Sequence, residues 1–169
     1  MNLKEVIREV DNYPKPWINF KDISPILESP DAFSYCVDQI SCNIWEVDKI
    51  VGLDARWFIF GAAVAYKLKK PFIMIRKTWK LPHKTITQSY DLEYGSNSFD
   101  IHIDSIKPWD KICIIDDLLA TWWTAQAAIS LIEKLWWKIT SLEFIVMLDF
   151  LQADATLLKW YTINSLTHY

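Results

Sequence analysis

The chain has 169 residues, 51% of them apolar and 23% charged, with a formal net charge of −3. These values suit one globular domain over residues 1–169 and exclude a disordered chain or a general affinity for nucleic acid or acidic membranes. Cys36, Cys42 and Cys113 lack paired spacing, which speaks against a disulfide framework or zinc site, and the N-terminal stretch MNLKEVIREV reads as neither signal peptide nor membrane span, so a reducing cytoplasm is the expected setting.

In chain order, Leu3, Val6, Ile7 and Val10 fall on one face of an expected helix over residues 2–10, which the proline-bearing stretch Tyr13 to Pro16 ends. Residues 18–22 read as a loop, and Asp31 as the cap of a helix running through Phe33, Val37 and Ile40. Strands and helices then alternate: a strand over 49–53, a helix over 58–68, a strand over 72–75 and a basic loop over 77–84. A hairpin of antiparallel strands follows over 85–90 and 99–103. A fully apolar strand over 111–115 leads through a short loop to a helix over 124–135, and two further strands cover 142–148 and 161–166. This order predicts an α/β fold with a mostly parallel central sheet, helices on both faces, and the hairpin as a flap at the strand ends. Cys113 and the other two cysteines are expected to be small buried hydrophobes.

Tryptophan is abundant and misplaced. There are 10 Trp and only 3 Gly, whereas usual glycine usage of about 7% predicts roughly a dozen. Lys107-Pro108-Trp109-Asp110 joins two strand-like runs where Pro-Gly would form a type II turn, and Trp136-Trp137 follow a helix where glycine would end it. A tryptophan-rich core would place these residues at periodic apolar positions, and they fall at turns instead. Either they are substitutions, or tryptophan is not the residue present.

Ligands in such folds bind beyond the carboxyl ends of the strands. Three strand ends carry chemistry, the richest being Ile114-Ile115-Asp116-Asp117-Leu118-Leu119-Ala120-Thr121-Trp122-Trp123-Thr124. Two acids there can accept hydrogen bonds from sugar hydroxyls. The loop and the helix N-terminus aim N–H groups and hydroxyls at an anion; helix capping by Asp117 and Thr121 is the plainer reading. IIDDLLATWWT resembles the phosphoribosyl pyrophosphate signature of type I phosphoribosyltransferases, with Trp122 and Trp123 where that family has glycines. YPKPWINFKDISPIL, VGLDARWFIFGAAVAY, RKTWKLP and SYDLEYG resemble segments peculiar to adenine phosphoribosyltransferases, in order over nearly the whole chain.

The resemblance implies a type I phosphoribosyltransferase fold with a small hood, and a glycosyltransferase of purine salvage that turns adenine and phosphoribosyl pyrophosphate into AMP and pyrophosphate. Phe20 would stack on adenine, the backbone near Ile18 would read its edge, and Lys21 stands where the family often has arginine. Ala55, Arg56, Arg76, Lys77 and Lys80 would meet pyrophosphate, while Asp116 and Asp117 would hold the ribose hydroxyls. The segment Ala120, Thr121, Trp122, Trp123 and Thr124 would cradle the 5′-phosphate. Glu93 would act as acid–base group near adenine N7, and Tyr94 would close over the site. Arg56 would help stabilise the leaving pyrophosphate, together with Mg2+ held mainly through the substrate. A homodimer is implied as well. Taken singly, Arg76 and Lys77 could be a solvated strand end, Glu93 a surface acid, Phe20 core and Asp54 a cap. The alternative function is an inactive or ligand-sensing protein on this fold, because two indoles would fill a loop that a phosphate must approach to within about 3 Å.

Overall fold

The computed structural model describes the backbone of residues 1–169 apart from 57, 93, 94, 121, 136, 137 and 152–159, and the side chains of 90–92, 95, 96 and 122 are also left aside. The expected helix over 2–10 is replaced by a single 3-10 turn at Leu3–Glu5 and strand β1, Arg8–Asp11. The expected loop at 18–22 is strand β2, Asn19–Asp22. The two pair antiparallel, with Arg8 opposite Asp22 and Glu9 opposite Lys21, so two opposite-charge cross-strand pairs favour the ribbon. Leu3 and Ile7 are buried, as a helix would also require, so apolar spacing did not distinguish the two conformations.

Helix α1, Ser24–Glu28, precedes helix α2, Pro30–Asn43. Ser29, not Asp31, is the N-cap: its hydroxyl accepts from the Ala32 amide, and Pro30 occupies the first helical position, where no intrahelical donor is needed. Strand β3, Lys49–Leu53, and helix α3, Phe58–Leu68, follow. Next come β4, Phe72–Lys77, the hairpin of β5, Thr85–Leu92, and β6, Gly95–His102, then β7, Lys111–Leu119. Helix α4, Trp122–Glu133, and strands β8, Lys138–Met147, and β9, Thr162–His168, complete the order. β7 runs four residues beyond its apolar core because β8 continues to pair with it, Leu118 with Val146 and Leu119 with Met147.

The strands lie in the order β5-β6-β4-β3-β7-β8-β9. β4, β3, β7, β8 and β9 are parallel to their neighbours, and the β5–β6 hairpin joins β4 antiparallel. Alternation along β7 feeds two cores: Ile112 and Ile114 pack with α4 residues Ala128, Leu131 and Ile132, while Cys113 and Ile115 pack with Val37 and Ile40 of α2 and Phe60 and Val64 of α3. Each of these Ile, Leu, Val and Phe side chains contributes about 1.5–3 kcal/mol when fully buried. Two glycines have a packing reason. A Cβ on Gly52 of β3 or Gly61 of α3 would lie 2.8 Å or 2.6 Å from the Phe72 ring, so bare backbone lets α3 sit close on β3 and β4. Cys36 and Cys113 are buried as expected, whereas Cys42 is exposed on the outer side of α2.

Candidate active site

The ends of β3, β4 and β7 meet in one region because the three strands are parallel neighbours. The register sets Leu53 beside Ile75, so Asp54, one residue on, reaches Arg76. Asp54 Oδ2 accepts from Arg76 Nε at 3.1 Å and from the Lys77 amide at 3.4 Å, and Lys80 Nζ lies 3.5 Å away. The Asp54 side chain is only 3% exposed. Burial alone would raise its pKa, but the hydrogen bonds from Arg76 and Lys77 and the charges of Arg76 and Lys80 outweigh burial and hold it below the ordinary value. Sequence reading treated Asp54 only as a cap. Its position one residue past a parallel strand, beside a strand that ends in Arg-Lys, is the signal that marks it as the organiser of these cations.

Asp100 does the same for the following turn. It accepts from the Thr87 hydroxyl at 2.7 Å, the Trp79 amide at 3.2 Å and the Thr78 hydroxyl at 3.4 Å, and so fixes the segment that carries Lys80. The Asp54–Ala55 peptide is cis, and Ala55 and Arg56 are exposed on the loop before α3.

Arg56 bridges two groups that sequence spacing leaves 97 positions apart. Its guanidinium lies 3.2 Å from Asp117 Oδ2 and 5.9 Å from the centre of the Phe20 ring. Asp116 and Asp117 are both buried near the end of β7. Burial pushes the Asp116 carboxyl well above the ordinary range, and the charge of and hydrogen bond with Asp117 push the same way, against weaker stabilisation by the Leu118 and Asp117 amides. With Arg56 already beside Asp117, the cost of a second negative charge falls on Asp116.

Phe20 and Lys21 are neighbours on β2 and face opposite ways, as alternate strand residues must. Phe20 packs edge-on to Tyr13, 5.3 Å between ring centres, on the side of Arg56. Lys21, expected among the substrate-binding residues, points to the other side of β2 from Phe20. Lys21 is 8% exposed, and its amino group pairs with Glu9 Oε2 at 3.0 Å and lies 4.0 Å from the centre of the Tyr169 ring. Ile18 is exposed, and both its backbone groups are engaged in the turn: its amide donates to Lys15 O and its carbonyl accepts from the Tyr13 amide.

Ala120 and Thr124 flank the start of α4 and are half-buried; Trp123 is half-exposed there. The first amides of a helix have no intrahelical acceptor, so the start of α4 has donors available for an anion. Glu93, Tyr94 and Thr121, and the side chain of Trp122, lie outside the described residues. Among the described residues no group of three or more His, Cys, Asp or Glu could hold a metal by itself. The acid pair Asp116–Asp117 fits a cation that brings most of its ligands from elsewhere.

No protein-family model matches the chain. An adenine phosphoribosyltransferase of Clostridium botulinum is 45% identical over 171 aligned residues, covering 100% of this chain and 99% of that protein. Among solved structures, an adenine phosphoribosyltransferase from Thermoanaerobacter pseudethanolicus superposes with a TM-score of 0.92 at 38% identity, covering 99% and 98% of the two chains. That of Saccharomyces cerevisiae, complexed with adenine and an imino-altritol bisphosphate, gives 0.92 at 32% identity over 98% and 96%. Parallel strand ends, paired acids and gathered cations converge with these likenesses, and the chain belongs to the adenine phosphoribosyltransferase family.

Proposed function

We propose that this protein transfers the phosphoribosyl group of phosphoribosyl pyrophosphate to adenine, forming AMP and pyrophosphate in purine salvage. The observation that carries the reading is the buried Asp116–Asp117 pair joined to Arg56 at 3.2 Å, with the cations held by Asp54 at the next strand end. In the reaction the bond from ribose C1 to the pyrophosphate oxygen breaks, the bond from C1 to adenine nitrogen forms, and one ring proton leaves adenine. Arg56, Arg76, Lys77 and Lys80 stabilise charge collecting on the departing pyrophosphate. Asp116 and Asp117 accept hydrogen bonds from the ribose hydroxyls and orient C1. Phe20 offers its ring to the base. Ala55 contributes backbone to the pyrophosphate loop, and Ala120, Thr121 and Thr124 donate to the 5′-phosphate. Glu93 is assigned the adenine proton at N7, and Tyr94 the closure that keeps out water. Bound Mg2+ supplies neutralisation of pyrophosphate charge, with Asp116 and Asp117 as the protein groups nearest to its role.

Residues 1–169 are read as one domain, a reading supported by the single sheet that both cores share. A homodimer is supported by the family resemblance, and a reducing cytoplasm by the three free cysteines. Among the described residues no helix is long and apolar enough to cross a membrane. The test is direct. The protein isolated from its own cells, incubated with adenine, phosphoribosyl pyrophosphate and Mg2+, is expected to form AMP, read by chromatography. No AMP refutes transfer, and faster turnover of hypoxanthine or guanine refutes adenine as the base.

A further inference from the structure

Three tryptophans share one geometry. The Ile18 amide donates to Lys15 O, the Lys80 amide to Lys77 O and the Asp110 amide to Lys107 O, which closes three four-residue turns. The third residue of each turn is Trp17, Trp79 or Trp109, with φ of 72°, 72° and 76°. That is the φ of the third position of a type II turn, which residues without a Cβ adopt at no steric cost. In two of the turns the second residue is proline, Pro16 and Pro108, the usual companion of that turn type.

None of the three indoles has a packing role. Trp17, Trp79 and Trp109 are 96%, 94% and 88% exposed, although tryptophan is a residue whose large ring is normally covered. Trp45 and Trp160 are exposed as well. The backbone therefore calls for glycine at these turns, and the surroundings have no use for an indole. The inventory agrees: 10 Trp and 3 Gly sum to 13, near the dozen or so glycines expected at about 7%. Ten separately acquired tryptophans, three of them at turns whose backbone suits glycine, would be a strange history for a working enzyme. A single change in how one codon is decoded makes all ten at once.

We infer that glycine is the residue the cell installs at positions 17, 45, 57, 79, 109, 122, 123, 136, 137 and 160, through one codon whose tryptophan assignment does not hold in the organism of origin. The consequence for the site is chemical. Glycine at 122 and 123 leaves the start of α4 as bare backbone, which a phosphate can approach to hydrogen-bond distance. The inference concerns residue identity and stands or falls independently of the activity assay.

The test is the mass of the protein isolated from its own cells. Glycine at all ten positions makes the chain about 1.3 kDa lighter than the 19.9 kDa of the tryptophan form, about 129 Da for each missing indolylmethyl group. Fragment masses of digest peptides spanning the three turns and residues 122–123 then place the change. Glycine at every one of the ten positions is the expected result. Tryptophan at any of them overturns the single-codon inference, whether or not the same sample makes AMP.

Discussion

Replacing the three turn tryptophans by glycine in the tryptophan-bearing chain, Trp17→Gly, Trp79→Gly and Trp109→Gly together, is expected to stabilise it. A residue with a Cβ held at left-handed φ costs about 1–2 kcal/mol. Glycine returns part of this, about 0.4–1 kcal/mol, through the greater freedom of the unfolded chain. The net gain is then roughly 0.5–1 kcal/mol per turn and about 1.5–3 kcal/mol for three turns that share no hydrogen-bond partner. Lost burial does not reverse the sign. With the least exposed indole at 88%, about a tenth of a full side-chain burial of roughly 3 kcal/mol is at stake per site.

For a chain of this length, 1 kcal/mol moves the midpoint by about 2–4 °C, so the triple variant should unfold roughly 3–12 °C higher. Circular dichroism on heating reads this, and a urea titration checks that the slope is unchanged. Trp45→Gly and Trp160→Gly are the controls. Both residues are exposed and neither has positive φ, so each should leave stability level or lower it slightly. A triple variant that melts at or below the parent, or controls that stabilise equally, would refute the reasoning from backbone geometry.

Three further outcomes are expected. Asp117→Asn removes the charged partner of Arg56 and should lower kcat/KM for phosphoribosyl pyrophosphate about 10- to 100-fold, as loss of a charged hydrogen bond of roughly 1.5–3 kcal/mol implies; a change under twofold in AMP formation would contradict the ribose-binding role. Burial raises the pKa of Glu143 above its ordinary 4.5, against hydrogen bonds from Asn164, Ser141 and Asn43. The folded state therefore holds that proton longer than the unfolded state, and stability falls as pH rises from the ordinary value through the folded one. Glu143→Gln should flatten that fall in urea midpoints measured across pH, and an unchanged slope counts against it. Tyr169→Ala removes the ring under Lys21 and Lys4 and should raise KM for adenine several-fold by loosening β2, with Tyr169→Phe retaining the parent value, since a cation over a ring is worth about 0.5–2 kcal/mol; equal KM in all three chains would show that the ring does not position Phe20.

The long apolar runs of β3 and β7, and α3 between β3 and β4, were legible because a parallel sheet buries its strands on both faces and leaves an unbroken hydrophobic signal. The acids at 116 and 117 were legible for the opposite reason: charge directly after such a run is costly to bury and so marks a site that needs it. The N-terminal helix was misread because Leu3, Val6, Ile7 and Val10 satisfy a helical period, while the decisive pairing of Arg8–Asp11 with Asn19–Asp22 lies across an intervening turn. The orientation of Lys21 was hidden for a related reason. Only once residues 19–22 are known to be a strand does alternation send Phe20 and Lys21 to opposite faces. Asp54 was invisible as an organiser because its role depends on the register of two strands separated by a whole helix.

That register also explains how a site can gather cations before any anion arrives. Arg76 and Lys80 both lie within 3.5 Å of one carboxylate oxygen. Two like charges drawn to one oxygen repel by roughly a few kcal/mol at the dielectric of a protein surface, which tends to splay flexible side chains into solvent. A buried acid between them removes that penalty and leaves their outer faces open to a ligand carrying several negative charges. Asp54 can be read in two ways, as an organiser of the cations or as a competitor for them, and the two readings predict opposite signs. Asp54→Asn adds one unit of net positive charge, so a competitor's removal would tighten binding of pyrophosphate. If Asp54 organises, the variant binds pyrophosphate several-fold more weakly despite its more favourable net charge, because the cations no longer stand together. Calorimetric titration of pyrophosphate into both chains at one ionic strength decides the matter, and tighter binding by the variant would refute the organising role.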